Sequence, residues 1–188
     1  MRCFLAVPLG EPALGEATLL QGHLRERVPE VRWARPETLH LTVHFFGQID
    51  GDRAADALEL VTPIADRTAP FDVALDRLGA FPHHGPPHVL WIGPARDVVP
   101  LTALALECRA ALGAAGFDVG ERRYHAHCTL GRPRVPWSDG ARAAWVAMVT
   151  EAQPEIRFTA TRLTLYESRS SPGGAVYTER ESLAFESH

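Results

Sequence analysis

Histidine and threonine occur together twice in the sequence, in the segments LHLTVHFFG (39–47) and YHAHCTLGR (124–132). Each segment contains a His, any residue, a Thr and then an aliphatic residue; the first copy begins at His40 and the second at His127. The second copy follows the first at close to half the length of the 188-residue chain. One such pattern means little by itself, whereas two copies in opposite halves indicate a site that the halves share.

Both segments have the character of β-strands, and side chains alternate between the two faces of a strand. Residues two apart therefore share a face and lie about 6–7 Å from each other. On the first strand, the face of the motif is predicted to carry His40, Thr42, His44 and Phe46. On the second strand, it is predicted to carry His125, His127 and Thr129. Each strand would bury its other face, which is apolar.

Two such strands, side by side at the floor of a cleft, would bring two imidazoles and two hydroxyls together. Imidazole titrates near neutral pH, so one histidine can act as a base while the other acts as an acid. This set is suited to a phosphate diester held between the two histidines. Hydrogen bonds and charge for the nonbridging oxygens would come from Thr42, Thr129 and Arg132, since guanidinium pairs bidentately with phosphate.

The overall charge narrows the class of protein. A net charge of −4 and an isoelectric point near 6.1 argue against a protein that coats nucleic acid in bulk, but they allow a local basic cleft. Every basic side chain is Arg, so no Lys is available for a Schiff base or a nucleotidyl-lysine intermediate. A ligase that works through lysine adenylation is therefore excluded.

Cysteine usage and hydropathy indicate the compartment. The three cysteines, Cys3, Cys108 and Cys128, form neither a CxxC pair nor an even set, which predicts reduced and packed thiols. No stretch approaches the ~20 uninterrupted apolar residues of a membrane span. The apolar run at the beginning of the sequence is too short for a secretory signal. We expect a cytoplasmic protein without a membrane span.

The pattern of the whole chain predicts one domain over residues 1–188, built from alternating strands and helices. Strands are predicted at 3–9, 39–47, 71–81, 88–93, 126–132, 155–168 and 175–185. Helices are predicted at 16–28, 52–67, 97–116 and 138–152, the last capped by Ser138 or Asp139. The turn residues Pro172, Gly173 and Gly174 predict a hairpin between the last two strands.

The paired motifs resemble those of the 2H phosphoesterase superfamily, and most closely those of the RNA 2′,3′-cyclic phosphodiesterases, also known as 2′-5′ RNA ligases. The resemblance extends to RWARPETLHLTVHFFG (32–47), GAFPHHGPPHVLWIG (79–93), HCTLGR (127–132) and LTLYESRSSPGGAVYTERESL (163–183). These segments follow one another in the order found in the family. One position departs from it, because His88 stands where the family commonly has Arg before the Val-aliphatic-Trp sequence.

The resemblance implies an α/β (α+β) fold of two pseudo-symmetric, intertwined lobes, each with an antiparallel sheet and outer helices, around a central groove. It implies hydrolysis of RNA 2′,3′-cyclic phosphate ends to 2′-phosphates without a metal or another cofactor. His40 would be the proton donor and His127 the proton acceptor, with Thr42 and Thr129 beside them. The reverse reaction would join a cyclic phosphate to a 5′-hydroxyl as a 2′-5′ linkage.

Further contacts with the substrate are predicted for Arg132, Phe46 and His125. Phe46 has two interpretations, a platform for a base and a core residue, and His125 either touches the substrate or is an exposed neighbour. His88 would weaken phosphate binding or make it depend on pH, unless its position is peripheral. Roles in packing are expected for Trp33, Trp91, Tyr166 and Tyr177.

Other functions fit parts of the pattern. The same site could act on ADP-ribose cyclic phosphate or another small cyclic nucleotide, or the protein could be a non-catalytic module that binds RNA ends. A zinc hydrolase is disfavoured, because His40 and His44 would lie ~13 Å apart on one strand, too far to bind one ion. The leading prediction is an enzyme that acts on RNA with 2′,3′-cyclic phosphate ends, a monomer without an obligate protein partner.

Overall fold

A computed structural model describes residues 1–121, 123–134, 136–152, 154–172 and 174–186. The helices are α1 (Ala13–Arg27), α2 (Gly51–Asp66), α3 (Val99–Ala114) and α4 (Asp139–Glu151), with a short 3-10 helix at Pro36–Thr38. The first strands are β1 (Arg2–Pro8), β2 (Val31–Trp33), β3 (His40–Gln48), β4 (Phe71–Leu75) and β5 (Arg77–Phe81). The others are β6 (Val89–Gly93), β7 (Cys128–Pro133), β8 (Ile156–Ala160), β9 (Arg162–Ser171) and β10 (Gly174–Ala184).

The main sheet consists of two four-stranded halves that meet at the two motif strands. Its order is β10-β9-β1-β3-β7-β6-β5, with β2 paired to β7 on the side, and all its pairs are antiparallel. The halves are joined through one residue pair, Leu41 of β3 opposite Cys128 of β7. Both residues are fully buried, so the junction lies within the hydrophobic core. The predicted α/β fold with antiparallel sheets and outer helices is confirmed.

Helices cover each half of the sheet. Helices α2 and α3 pack on one another, α3 contacts β3, and α2 contacts β9 and β10. On the other half, α1 contacts β2 and α4, and α4 contacts β5. The first half takes β1 and β3 from the beginning of the chain and β9 and β10 from its end, whereas the second half takes β2, β5, β6 and β7. No helix in the described ranges is long and apolar enough to cross a membrane.

Two of the predicted strands are in fact two strands each. The prediction of one strand at 71–81 is wrong, because Asp76 separates β4 from β5 and accepts a hydrogen bond from the Ala95 amide, at 2.6 Å. The prediction of one strand at 155–168 is also wrong, because Thr161 separates β8 from β9. The pieces β4 and β8 pair with each other in a separate two-stranded sheet.

Several local predictions are confirmed. The Ser138 hydroxyl caps α4 by accepting a hydrogen bond from the Ala141 amide, at 3.2 Å. Strands β9 and β10 form the expected hairpin, although Gly173 of its turn lies outside the described residues. The thiols of Cys3, Cys108 and Cys128 are all buried and unpaired. Burial raises the pKa of both Cys108 and Cys128 to about 12, so these thiols stay protonated and unreactive at neutral pH.

Candidate active site

The first motif opens β3 and contains a β-bulge at its fourth residue. Thr42 lies opposite Ala6 of β1, whereas His44 lies opposite Leu5, so Val43 has no partner of its own. A bulge places two residues of one strand opposite one residue of its neighbour and interrupts the regular alternation of side chains. The faces of His44 and Phe45 are therefore exchanged relative to a regular strand. A second register shift leaves Phe46 without a partner, because Phe45 lies opposite Phe4 and Gly47 lies opposite Cys3.

The bulge exchanges the faces that the two phenylalanines after the motif occupy. Phe45 is 47% exposed, and its ring stacks at 6.4 Å on Phe4, which belongs to the same aromatic group as the motif histidine. Phe46 instead packs edge-on against His44 and Phe117, at the hydrophobic core beside α3. The expectation that Phe46 shares the face of the motif is wrong, because it assumed unbroken alternation. His44 is buried against Phe46 but still lines the groove together with Thr42.

Aromatic rings surround His40. Phe4 stacks on the imidazole with 4.7 Å between ring centroids. Tyr177 of β10 meets it edge-on at 5.4 Å, and Tyr166 of β9 lies at 6.3 Å. The two tyrosines expected only to pack the hairpin thus form part of the wall around His40.

Hydrogen bonds fix the tautomer of His40. Its Nδ1 lies 2.7 Å from the Thr38 carbonyl oxygen and donates to it, so Nε2 carries the lone pair of the neutral ring. The Thr42 hydroxyl lies 3.0 Å from Nε2 and donates to it. Burial lowers the pKa of His40 to about 4; the Thr38 carbonyl opposes this shift, and the charge of His127 adds to it.

The second motif contains the same irregularity at the same position. Thr129 of β7 lies opposite Trp91 of β6, whereas Gly131 lies opposite Leu90, so Leu130 is the extra residue. The fourth, aliphatic residue is thus bulged in both copies. The same shift of faces is expected beyond each of them.

Arg132 of β7 lies beyond this second bulge and is exposed. Its positive charge acts on two groups, His127 and Tyr177. Burial raises the pKa of Tyr177, and Arg132 opposes that shift. Arg132 comes three residues after Thr129, just as Phe45 comes three residues after Thr42. The two copies of the motif thus present a cation and an aromatic ring at equivalent positions.

His127 has the same tautomer as His40. Its Nδ1 lies 2.8 Å from the carbonyl oxygen of His125 and donates to it, so Nε2 again carries the lone pair. In both motifs the acceptor is the carbonyl two residues before the histidine. Burial lowers the pKa of His127; the hydrogen bond to the His125 carbonyl opposes the shift, and the charges of His125 and Arg132 add to it.

A second aromatic group supports His127. The ring of Phe81 contacts it edge-on at 5.0 Å and contacts the exposed His125 at 5.2 Å. Trp91 lies 5.0 Å from His125 and is almost fully buried, so the expectation of a core role is confirmed. Trp91 lies flat against Gly79, where a Cβ atom would come within 2.2 Å of the indole.

The pairing of Leu41 with Cys128 brings the motifs together. Because this pair is antiparallel, the residues that flank it are His40 next to Thr129, and Thr42 next to His127. The electrostatic interaction between the two imidazoles agrees with this proximity. The structure thus brings together all four predicted motif side chains at the junction of the two lobes.

A groove of about 1300 Å³ passes this junction and is lined by Thr42, Phe45 and His127. His44, His88 and His125 also line it. Of the predicted site residues, His40, Thr129, Arg132 and Phe46 are not among those that line it. Sequence reasoning missed Phe45, Phe81 and Tyr177. Of these three residues, only Phe45 could have been identified from the sequence, because it aligns with Arg132 when the two motifs are superposed. Within the described ranges, no group of three or more His, Cys, Asp or Glu residues could hold a metal ion.

The fold is shared with solved structures over nearly the whole chain. Escherichia coli LigT complexed with 3′-AMP has a TM-score of 0.81 at 24% identity, covering 99% of this chain and 98% of that one. The protein TT0787 of Thermus thermophilus has a TM-score of 0.79 at 26% identity, covering 98% of each chain. The architecture is therefore that of the LigT-like α/β proteins.

A family model described as the 2′-5′ RNA ligase superfamily matches residues 11–172. The chain belongs to this superfamily, which confirms the resemblance found in its sequence. The RNA 2′,3′-cyclic phosphodiesterase of Thermotoga maritima is 26% identical over 187 residues, 99% of this chain and 96% of that protein. The protein of the same name from Archaeoglobus fulgidus is 31% identical over 132 residues, 70% of this chain and 72% of that protein. A longer relative of that name, from Geobacillus stearothermophilus, is 29% identical over 129 residues, 69% of this chain but 41% of its own length.

Proposed function

We propose that the protein hydrolyses the 2′,3′-cyclic phosphate ends of RNA to 2′-phosphates, and that it can join such an end to a 5′-hydroxyl as a 2′-5′ linkage. The observation that carries the proposal is the pairing of Leu41 with Cys128, which places each motif histidine next to the threonine of the other motif. The two imidazoles have the same tautomer and are close enough to interact electrostatically. The relatives named RNA 2′,3′-cyclic phosphodiesterases support the same substrate class.

In the proposed reaction, His127 acts as the base. Its Nε2 takes a proton from a water molecule, and the water oxygen attacks phosphorus. The bond from phosphorus to the 3′-oxygen breaks while the bond to the 2′-oxygen stays. Protonated His40 gives its Nε2 proton to the departing 3′-oxygen, which leaves a 3′-hydroxyl and a 2′-phosphate. Proton exchange with water then restores both rings.

The anionic substrate itself would prepare the acid. Burial keeps His40 neutral in the free protein at neutral pH, with a pKa of about 4. A phosphate placed against the ring stabilises the imidazolium and raises this pKa. The Thr42 hydroxyl, which donates to Nε2 in the free protein, can then donate to a nonbridging oxygen instead. Thr129 and Arg132 would hold the remaining charge on phosphate.

Phe45 is the proposed platform for the terminal base. Its exposed ring lies beside the motif, and bases of unpaired RNA commonly stack on aromatic side chains. The guanidinium of Arg2 lies 4.9 Å from the ring centroid and adds a positive charge next to this surface. This assignment takes the place of the base-stacking role considered for Phe46.

The proposal also covers the state of the protein. All four motif side chains come from one chain, so a monomer suffices for the reaction. Three buried, unpaired cysteines suit the reducing conditions of the cytoplasm.

The test is hydrolysis of a short RNA with a 2′,3′-cyclic phosphate end, in the presence of EDTA, by the wild type, His40→Ala and His127→Ala. We expect turnover to a 2′-phosphate, reduced about 10²–10⁴-fold in each variant, the usual contribution of a general acid or base. Turnover that survives either substitution would defeat the two-histidine mechanism. Dependence on metal would indicate a metallohydrolase, and binding of the RNA without turnover would indicate a binding module.

A further inference from the structure

Helix α1 places a glutamine in a stripe of buried, small or aliphatic residues. The buried residues of this helix are Ala13, Ala17, Gln21 and Leu24, which recur at the spacing of one helix face. Gln21 is only 1% exposed, and a carboxamide buried without hydrogen bonds is costly. An aliphatic side chain would carry no such cost, so the contacts of the carboxamide indicate why it lies there.

The carboxamide donates to backbone carbonyls of two separate segments. Its Nε2 lies 2.8 Å from the Ala34 oxygen and 2.9 Å from the Leu130 oxygen. Both partners can only accept, so the NH₂ end of the side chain faces them. The Ala34 amide also donates to the Leu130 oxygen, at 2.9 Å. Gln21, Ala34 and Leu130 therefore form a closed triangle of hydrogen bonds beside β7.

One corner of this triangle is the bulge of the second motif. Leu130 is the extra residue of β7, between Thr129 and Gly131, and it has no partner on β6. A bulged residue is left out of the regular ladder, so its polar groups need partners from elsewhere. Gln21 and Ala34 satisfy both lone pairs of the Leu130 oxygen. The carboxamide thus holds the backbone directly after Thr129.

Another corner begins the segment that leads to His40. From Ala34 the chain runs through the 3-10 helix to Thr38, whose amide donates to the Arg35 carbonyl at 2.9 Å. The Thr38 carbonyl accepts from Nδ1 of His40 and so orients that ring. Helix α1 contacts this 3-10 helix as well. One side chain is therefore bonded to the backbone that follows His127 and to the backbone that leads to His40.

The strands around the triangle leave the bulge little room to move. At Gly131, a Cβ atom would come within 2.7 Å of a Val31 methyl group and 3.1 Å of the Trp33 ring. Closely packed interiors transmit strain instead of absorbing it. A shift of the Leu130 backbone would therefore reach β2 and, through it, Ala34.

We propose that Gln21 is a positioning residue of the reaction, which sets the placement of the two motif histidines relative to each other. Its carboxamide does so by tying the bulge of the second motif to the segment that orients His40. This inference rests on the proposed function and adds to it a residue that touches neither the substrate nor the reacting atoms. An acid and a base must both reach one phosphate, so a shift of either ring lowers kcat more than it changes KM.

The test compares Gln21→Met with Leu24→Ala in hydrolysis of the short RNA with a 2′,3′-cyclic phosphate end. Methionine is as long as glutamine but cannot donate to either carbonyl. Leu24→Ala removes a fully buried side chain from the same face of α1 and controls for a loss of stability alone.

We expect Gln21→Met to lower kcat about tenfold to a hundredfold, the effect of a shift of the order of 1 Å, and to keep KM within about twofold of the wild type. Leu24→Ala should keep both constants at a temperature at which it is folded. An unchanged kcat in Gln21→Met, or an equal fall in both variants, would overturn the proposal.

Gln21→Glu tests the hydrogen bonds themselves, since it keeps the shape of the side chain. Its protonated carboxyl can donate one hydrogen bond, whereas its carboxylate would only repel the two carbonyl oxygens. Its kcat, divided by that of the wild type at the same pH, should rise as the pH is lowered from about 8 to about 5.5. The ratio for Gln21→Met should stay constant. A ratio for Gln21→Glu that equals that of Gln21→Met at every pH contradicts the role of the hydrogen bonds.

Failure of the proposed function would look different. If the wild type does not turn over the RNA, the activity is wrong, and the positioning is then measured without substrate. Nitrogen-15 NMR of the imidazoles reports the surroundings of His40 and His127. Gln21→Met should shift the signals of both rings, and Leu24→Ala should leave them as in the wild type. Unchanged signals of both rings in Gln21→Met would rule the positioning role out.

Discussion

The two motif histidines are held in the same way, and this has consequences for their ionisation. Each donates through Nδ1 to the carbonyl two residues before it, and each is enclosed by aromatic rings. The hydrogen bond orients the ring, while the enclosure disfavours the charged form. Both rings therefore have a lowered pKa in the free protein.

This shared environment predicts the pH dependence of the proposed reaction. One ring must be protonated and the other neutral, and both pKa values lie below the ordinary 6.5 in the free protein, with that of His40 at about 4. The profile of kcat/KM, which reports the free enzyme, should therefore peak below pH 6.5. The profile of kcat should peak at higher pH, because bound phosphate stabilises the imidazolium. A kcat/KM optimum above pH 7, measured between pH 4.5 and 8.5 on protein verified as folded, would contradict the assignment.

The neighbouring phenylalanines form a matched pair for mutation. Phe45→Ala should lower kcat/KM for RNA by roughly tenfold, since stacking of one base contributes about 1–3 kcal/mol, and should change stability little. Phe46→Ala should instead lower the free energy of unfolding by about 2 kcal/mol, because its ring packs at the core, and should leave kcat/KM nearly unchanged. Kinetics and chemical denaturation distinguish the two effects, and the reverse pattern would mean that the bulge does not turn Phe45 to the groove.

At the scale of strands, the bulges mark the limit of sequence reasoning. The strand identity of both motifs and the shared face of His and Thr within each motif follow from composition and alternation. Their convergence was expected only on the condition that the two strands lie side by side, as they do in the structure. The position of a bulge depends on pairing with neighbouring strands, here β1 and β6, which alternation within one strand does not contain. The prediction that Phe46 lies on the face of the motif was therefore wrong. Superposing the two motifs would have related Phe45 to Arg132.

The sequence does indicate where the two predicted strands divide, through a change in the alternation of apolar residues. Each segment was treated as one strand, and the change was therefore missed. Apolar residues occupy odd positions from Phe71 to Leu75 and then change to an even position at Leu78. They occupy even positions from Ile156 to Ala160 and change to an odd position at Leu163. Each change of phase marks the point at which the chain leaves the small sheet β4–β8 or enters the main sheet.

The histidines of the molecule bind fewer protons in the folded state than in the unfolded state. Burial is the main cause of a lowered pKa at four of them, namely His40, His44, His125 and His127. A pKa that is lower in the folded state makes stability rise with pH between the folded and unfolded values. The stabilisation is fully present above the ordinary pKa of 6.5 and is lost as the pH falls through the folded pKa values, of which that of His40 is about 4. The site that suits the proposed reaction therefore makes the fold sensitive to mild acid.

This linkage can be measured with one substitution. His40 alone, with an ordinary pKa of 6.5 when unfolded and about 4 when folded, should cost the wild type about 2 kcal/mol of unfolding free energy between pH 7.5 and 5. His40→Gln keeps a polar side chain of similar size but does not titrate, so its loss over this range should be smaller by about that amount. Urea denaturation of both proteins at the two pH values gives the comparison, with His23→Gln, an exposed position on α1, as the control. Equal losses in all three proteins would mean that His40 is as well hydrated in the folded chain as in the unfolded one, and the aromatic enclosure would then have no effect on its charge.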